Sequence, residues 1–324
     1  MPGTELEPNV RSVPERVPYD EMSMFHENAE EFGIPYDGPP VVRRTTVELE
    51  PGRSLSALQW GDGAPELVFL HGGAQNAHTW DTVALALARP LVAIDLPGHG
   101  HSGGGRNGSL DVRANAEDIA TAVRTLAPDA QAVIGMSLGG ITTLALADAA
   151  PDVVRKTVLV DVTPGVDGQK ASQIVAFVNG PVSFPSFDEI LARTIEFNPG
   201  RTEASLRRGI LHNAVQQDDG SWVWRYQRFR VEDAEAGRPA TAAEATAPHP
   251  DFGSLWDSVS RLSVPLMLVR GMTSQSVVDD ADEAELLRRQ PAARVEHVEG
   301  AGHSVQGDKP VELARLIDDF VASG

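Results

Sequence analysis

The sequence predicts an α/β protein built on a doubly wound, mostly parallel sheet. Short, wholly apolar runs alternate with helical stretches, and the alternation stops between about residues 164 and 262. Strands buried on both faces have this composition, because helices cover both sides of a parallel sheet. The apolar runs are LVFL (67–70), LVAIDL (91–96), AVIGM (132–136), TVLVDV (157–162) and PLMLVRG (265–271).

The elements before the first apolar run differ from those after it. Residues 1–40 form an arm rich in proline and acid, within which EMSMFHENAEEFGI predicts a short amphipathic helix. VVRRTTVELEPGRSLSALQWG, starting at residue 41, predicts two strands around a Glu50-Pro51-Gly52 turn. Helices are then predicted between the apolar runs and after the fifth, at TWDTVALALA, DVRANAEDIATAVRTLA, ITTLALADAA and ADEAELLRRQ.

The interruption predicts an insertion between two strands of the sheet. QKASQIVAFVNG, FDEILARTIEFN and RTEASLRRGILHNAVQQ are typical of helices, SWVWRYQRFR is dense in aromatic residues, and EAGRPATAAEATAPHP is loop-like. We therefore divide the chain into the arm (1–40), a first core segment (41–163), a mainly helical insertion (164–255) and a second core segment (256–324).

Composition excludes several function classes. The net charge of -19, from 27 basic and 46 acidic residues, disfavours nucleic acid or an anionic membrane as a partner. The absence of cysteine excludes disulfides, thiolate metal sites and a cysteine nucleophile. No apolar run approaches the roughly 18 residues of a membrane span, and the N-terminus lacks the pattern of a signal peptide. We expect a cytoplasmic protein that acts on a small molecule.

IGMSLGG (134–140) carries the first functional signal. It places Ser137 in a Gly-x-Ser-x-Gly pattern between an apolar strand and a helix, which is the nucleophile-elbow pattern. The sharp turn requires small neighbours such as Gly135 and Gly139, and it raises the hydroxyl above the sheet. The helix N-terminus that follows favours an anion.

Two further segments complete a candidate site for nucleophilic catalysis. A serine hydroxyl needs a base, and EGAGHSVQGDKP supplies His303 in a glycine-flanked loop late in the chain. LVFLHGGAQNAHTW places a His-Gly turn after a buried strand, so the N–H groups of Gly73 and Leu138 are predicted to hold an oxyanion. His71 is predicted to bridge loops behind the site.

The chain resembles the α/β-hydrolase superfamily over roughly residues 41–163 and 256–324. LHGGAQNAHTW, IDLPGHGHS, GMSLGG and GAGHS match its motifs in order and spacing. The resemblance implies a Ser–His–acid mechanism without a cofactor, and a cap over the site where the insertion falls.

The acid of this triad departs from the commoner pattern. Many members carry it in a Gly-x-x-Asp pattern after the strand written here PLMLVRG, but this chain has Gly271-Met272-Thr273-Ser274. Asp161, which ends TVLVDV, occupies the position that some relatives use, and we favour it. Asp279 and Asp280 remain alternatives, as does Asp282, although each is also placed to cap a helix.

Two other patterns do not predict a site. GHGHSG formally satisfies a dinucleotide-binding motif, but glycine-rich and polar sequence follows it where a helix is required. His99 and His101 belong to the Pro-Gly-His-Gly turn, and no third metal ligand accompanies them. We therefore expect neither a nucleotide cofactor nor a metal.

Hydrolysis of an ester or lactone is the leading hypothesis. Carbon–carbon bond hydrolysis of a ring-cleavage diketone is the close alternative, since relatives use the same triad for it, and a non-catalytic ligand-binding protein is the third. The arm could clasp a second subunit in a homodimer. Candidate substrate-binding residues, which suggest an apolar ligand, are Phe177, His212, Trp222 and Tyr226, with Phe184 and Trp224 beside them.

Overall fold

The computed structural model describes residues 15–105, 111–227 and 251–323. The start of the predicted arm (1–14) and the loop predicted at 235–250 lie outside these ranges.

The main sheet confirms the predicted doubly wound architecture. Eight of the strands in the described ranges form it, in the order β1-β2-β4-β3-β5-β6-β10-β11. The pairs β1–β2 and β2–β4 are antiparallel, and every later pair is parallel. In chain order the strands are β1 (Val42–Glu50), β2 (Arg53–Trp60), β3 (Leu67–Leu70), β4 (Leu91–Ile94), β5 (Ala132–Met136), β6 (Thr157–Val160), β7 (Ser183–Phe184), β8 (Ala214–Gln216), β9 (Trp222–Trp224), β10 (Leu266–Gly271) and β11 (Arg294–Val298).

Helices flank the sheet and form the insertion. In the described part of the chain, none is long and apolar enough to cross a membrane. They are α1 (Phe25–Phe32), α2 (Asp81–Leu87), α3 (Val112–Leu126), α4 (Leu138–Ala149), α5 (Ser172–Val178), α6 (Phe187–Phe197), α7 (Glu203–Asn213), α8 (Trp256–Arg261), α9 (Asp280–Arg289), α10 (Val305–Asp308) and α11 (Pro310–Ala322).

The apolar runs are continuous because both faces of the sheet are buried. Along β3, Val68 and Leu70 pack with α3, α4 and α8, whereas Leu67 and Phe69 pack with α1, α2 and α11. Successive side chains of a strand point to opposite faces, so a strand covered on both sides has no polar position. All four residues of β3 are fully buried.

The segment between β6 and α8 contains the predicted insertion, which we call the cap. Its predicted helices are present as α5, α6 and α7. Beside them lies an antiparallel sheet in the order β7-β9-β8, which the sequence did not predict. These strands have two or three residues each, too few for a two-residue periodicity to be recognised. The cap has its own apolar cluster around Ile190, Ile210 and Trp222.

The described part of the arm packs against its own chain. The predicted helix is present as α1, which ends at Gly33 in the left-handed conformation (φ 64°). Before it, the Val17 N–H donates to Gln216 of the cap, and the Glu21 carboxylate pairs with Arg44 of β1. The arm therefore ties the cap to the core.

Candidate active site

Ser137 lies on a strained turn between β5 and α4. Its backbone has φ 51° and ψ −120°, in the left-handed half of conformational space that non-glycine residues rarely adopt. The glycines around it have a steric cause: a Cβ atom at Gly135 would collide with the backbone of Gly139, and one at Gly139 would collide with the Leu70 carbonyl. The elbow can form only because both positions lack a side chain.

His303 and Asp161 form a hydrogen-bonded pair at the same edge of the sheet. His303 lies in the loop before α10, and its Nδ1 is 2.9 Å from Asp161 Oδ2. Asp161 follows β6, whose last residue, Val160, accepts a hydrogen bond from the Ser137 N–H at 3.4 Å. The His303 Nε2 atom is buried and has no hydrogen-bond partner among the described residues. The imidazole thus keeps one nitrogen open on the side away from Asp161.

The last residue of β10 and the loop after it supply donors to Asp161. The Gly271 N–H (2.9 Å) and the Ser276 hydroxyl (2.6 Å) donate to Oδ1, and the Val277 N–H donates to Oδ2 at 3.1 Å. The carboxylate is fully buried, and donors on both oxygens replace the hydrogen bonds to water that it loses on burial. In this chain the loop that lacks the commoner aspartate holds the carboxylate of the neighbouring strand.

The alternative acids lie elsewhere. Asp279 is the N-cap of α9, where its side chain and that of Asp282 form a capping box, and it pairs with Lys170 at 3.0 Å. The Asp280 side chain is 97% exposed and pairs with Arg270. Both are placed for helix stability, as their capping positions suggested.

Gly73 and Leu138 adjoin one another across the candidate oxyanion site. A Cβ atom built on Gly73 would lie 4.0 Å from the Leu138 side chain. Leu138 begins α4, so its N–H has no partner within the helix. The neighbouring Gly72 N–H is already used, since it donates to Gln75 Oε1 at 3.1 Å.

His71 anchors this turn from behind. Its Nε2 accepts a hydrogen bond from the Leu96 N–H at 2.9 Å, so the proton is on Nδ1, which donates to the Gly72 carbonyl at 2.7 Å. Complete burial lowers the pKa of His71, so the ring is neutral. The ring links the turn after β3 to the chain after β4, as predicted.

A model of the Alpha/beta hydrolase family matches residues 67–316. The chain belongs to the α/β-hydrolase family. It is 45% identical to the esterase Rv0045c of Mycobacterium tuberculosis over 92% of this chain and 94% of that protein. A solved structure of that esterase, described together with transition metal inhibition, has a TM-score of 0.79 and 43% identity and covers 95% of this chain and 100% of that chain. The 3-hydroxybutyrate-oligomer hydrolase of Cupriavidus necator is 29% identical over 79% of this chain and 89% of that protein.

Some aromatic residues of the cap line a cavity, and others pack against one another within the cap. Phe177 and His212 line a cavity of about 200 Å³ between cap and core, together with Trp224. Trp222 lies in the apolar cluster of the cap, with its ring 5.0 Å from that of Phe187. Tyr226 stacks against Trp224 at 5.8 Å. Of the four candidates, Phe177 and His212 border the cavity.

A second histidine–aspartate pair lies beside the cavity and was not predicted. His78 Nδ1 is 2.8 Å from Asp81 Oδ2, and His78 Nε2 is 3.1 Å from Glu21 Oε1 of the arm. The His212 ring stacks on His78 at 3.7 Å with an interplanar angle of 12°. Burial disfavours a charged His78, but the charges and hydrogen bonds of Asp81 and Glu21 outweigh this and raise its pKa to about 9.

The atoms of His78, Asp81 and His212 that could bind a metal lie within 4.8 Å of one another. The in-plane lone pairs of two nearly parallel rings do not converge on one point, so metal binding would require one ring to tilt. Both nitrogens of His78 already face carboxylates. The observed arrangement therefore fits an ion-pair network between arm, core and cap. Glu21 and His212 lie far from the His78–Asp81 pair in sequence, and the sequence carries no signal for their contact with it.

Proposed function

We propose that this protein hydrolyses carboxylic esters with Ser137 as nucleophile, His303 as general base and acid, and Asp161 as the residue that orients His303. The observation that carries the proposal is the Asp161–His303 pair. Asp161 holds Nδ1, and Nε2 is left open at the edge of the sheet where the Ser137 elbow lies. The 45% identity to a named esterase supports the choice of an ester.

The proposed reaction has two halves. Ser137 Oγ attacks the carbonyl carbon while its proton passes to His303 Nε2, and the oxyanion accepts hydrogen bonds from the Gly73 and Leu138 N–H groups. Each such donor contributes about 3 kcal/mol to transition-state stabilisation in comparable sites. The tetrahedral intermediate then expels the alkoxide, which takes the proton from Nε2. Water hydrolyses the acyl-enzyme by the same steps and restores Ser137.

All these residues belong to one chain, so the mechanism does not require a homodimer.

A substrate panel tests the reaction class. Purified protein is assayed with aryl esters, lactones and ring-cleavage diketones, and we expect the highest kcat/KM for an ester or lactone. Turnover of diketones alone would assign carbon–carbon bond hydrolysis instead. Binding of an ester without turnover would indicate a ligand-binding protein.

Active-site labelling tests the nucleophile. A fluorophosphonate probe should modify Ser137 in the parent protein and should not modify Ser137→Ala. Ser304→Ala is the matched control, because Ser304 follows His303 directly but has no proposed chemical role, and this variant should label like the parent. Labelling at another serine would refute the assignment.

A further inference from the structure

The cavity between cap and core contains an arginine that forms no ion pair with a carboxylate in the described part of the chain. Arg201, in the segment between α6 and α7, lines the cavity. Its guanidinium makes one hydrogen bond within the described part of the chain, from Nη2 to Ser205 Oγ at 3.0 Å, and takes part in no ion pair there. Burial lowers the pKa of Arg201, yet a guanidinium stays protonated in proteins. A positive charge with unused donors therefore faces the cavity.

The neighbouring Arg208 shows what a paired arginine looks like in the same cavity. Arg208 contacts Glu31 and Glu27 of α1, and its Nε donates to Asn28 Oδ1 at 2.8 Å. The chain has 46 acidic against 27 basic residues, so carboxylates are abundant. Those with the strongest influence on Arg201 are engaged elsewhere: Glu31 by Arg208, and Asp308 by the Gly302 N–H at 2.9 Å.

Arg201 lies close to the catalytic loop. Its guanidinium packs directly on Gly307 of α10, where a Cβ atom would collide with Nη1. Gly307 comes four residues after His303, whose loop leads directly into α10. The amide of Gln306, on the same helix, also lines the cavity, and its Oε1 is buried without a hydrogen-bond partner in the described ranges. The cavity therefore reaches α10, the helix that follows the His303 loop.

We propose that Arg201 forms an anion subsite that binds a carboxylate of the substrate, so that the enzyme prefers esters that carry a second, ionised carboxyl group. A planar guanidinium matches a carboxylate with two parallel hydrogen bonds, and burial strengthens such a pair. This inference rests on the proposed ester hydrolysis and refines it, since a largely apolar substrate would leave the guanidinium without a partner.

The test compares esters that differ in one end group. We measure kcat/KM for mono-4-nitrophenyl esters of glutaric, adipic and pimelic acid, and for the corresponding esters in which a methyl group replaces the free carboxylate. The parent should prefer at least one anionic ester about tenfold or more over its neutral counterpart. In Arg201→Met that ratio should fall at least tenfold, and Arg201→Lys should retain part of it.

Two controls separate the outcomes. Arg207→Met removes one positive charge from an exposed position of α7, and the ratio should stay as in the parent. Free adipate should inhibit the parent competitively against a neutral ester and more strongly than hexanoate, which tests the subsite even if Arg201→Met fails to fold. Equal ratios in parent and Arg201→Met, or no carboxylate preference in the parent, would overturn the subsite while ester hydrolysis stands. Turnover of neither ester type would instead count against the proposed function.

Discussion

In the described part of the chain, two histidine–aspartate pairs with buried carboxylates have nearly the same contact and different surroundings. His303 Nδ1 lies 2.9 Å from Asp161 Oδ2, and His78 Nδ1 lies 2.8 Å from Asp81 Oδ2. The pair itself does not distinguish a catalytic from a structural role. The pairs differ in the contacts of the atoms outside this hydrogen bond, namely the second carboxylate oxygen and the second ring nitrogen.

The two carboxylates are held differently. Asp161 accepts hydrogen bonds on both oxygens, one of them from Gly271 at the end of β10 and two from the loop that follows. Asp81 Oδ1 is buried and accepts none from the described residues. Donors on both oxygens fix the position of the Asp161 carboxylate. Burial raises the pKa of Asp81, and the charge of His78 opposes that rise.

The two imidazoles differ in their second nitrogen. His303 Nε2 has no partner within the described ranges, but His78 Nε2 faces Glu21, and His212 covers the His78 ring. In the proposed mechanism the first ring exchanges a proton with the substrate. The second is held as a cation between two carboxylates. The comparison predicts that changes at the first pair affect the chemical step and changes at the second affect stability.

The largest expected effect follows from Asp161→Asn. An amide cannot stabilise the imidazolium and favours the wrong tautomer of His303, so kcat for an aryl ester should fall on the order of 10⁴-fold. Asp81→Asn makes the same chemical change at the other pair and should reduce kcat far less. Steady-state kinetics of both variants measure the difference. Similar losses in the two variants would contradict the division of roles.

The next effect concerns stability. His78→Gln removes the cation between Asp81 and Glu21, and loss of one partner of a buried pair costs about 3–5 kcal/mol. Urea denaturation should show this decrease in the free energy of unfolding. His303→Gln is the matched control: its stability should stay near that of the parent while its kcat collapses. If His78→Gln had the same free energy of unfolding as the parent, the network would not stabilise the contact between arm, core and cap.

The pH dependence gives a third, smaller effect. The pKa of His78 is raised to about 9 from an ordinary value of 6.5, so its contribution is fully present below pH 6.5 and is lost as the pH rises through about 9. The full contribution is roughly 3 kcal/mol, at 1.36 kcal/mol per pKa unit. The melting temperature of the parent should therefore approach that of His78→Gln between pH 6.5 and 9.5. Parallel curves over that range would exclude a raised pKa.

The sequence predicts one pair and not the other, for a physical reason. Ser137 and His303 are recognisable because steric demands place glycines beside them in the chain. Asp161 could be selected among several acids because it ends an apolar strand. The network of Glu21, His78 and His212 arises where arm, core and cap meet, and no local pattern encodes that contact.

The same limit applies to the residues that hold Asp161. The parallel register of β6 and β10, with Val160 opposite Val269, brings the next loop to the carboxylate. The sequence shows that this loop lacks an aspartate, but only the register shows that Gly271, Ser276 and Val277 donate to Asp161 instead. Likewise, no motif indicates that Arg201 would face the cavity.

The smallest predicted effect therefore tests the loop. Ser276→Ala removes the 2.6 Å hydrogen bond to Asp161 Oδ1 and leaves the Gly271 and Val277 donors in place. A hydrogen bond to a charged group contributes about 1.5–3 kcal/mol, and partial replacement by water should limit the loss of kcat to about tenfold. Ser276→Thr keeps the hydroxyl and should restore kcat. Ser274→Ala is the control, because Ser274 is an exposed residue of the same loop, and this variant should leave kcat unchanged. If Ser276→Ala matched the parent in kcat, the backbone donors alone would be sufficient to hold the Asp161 carboxylate.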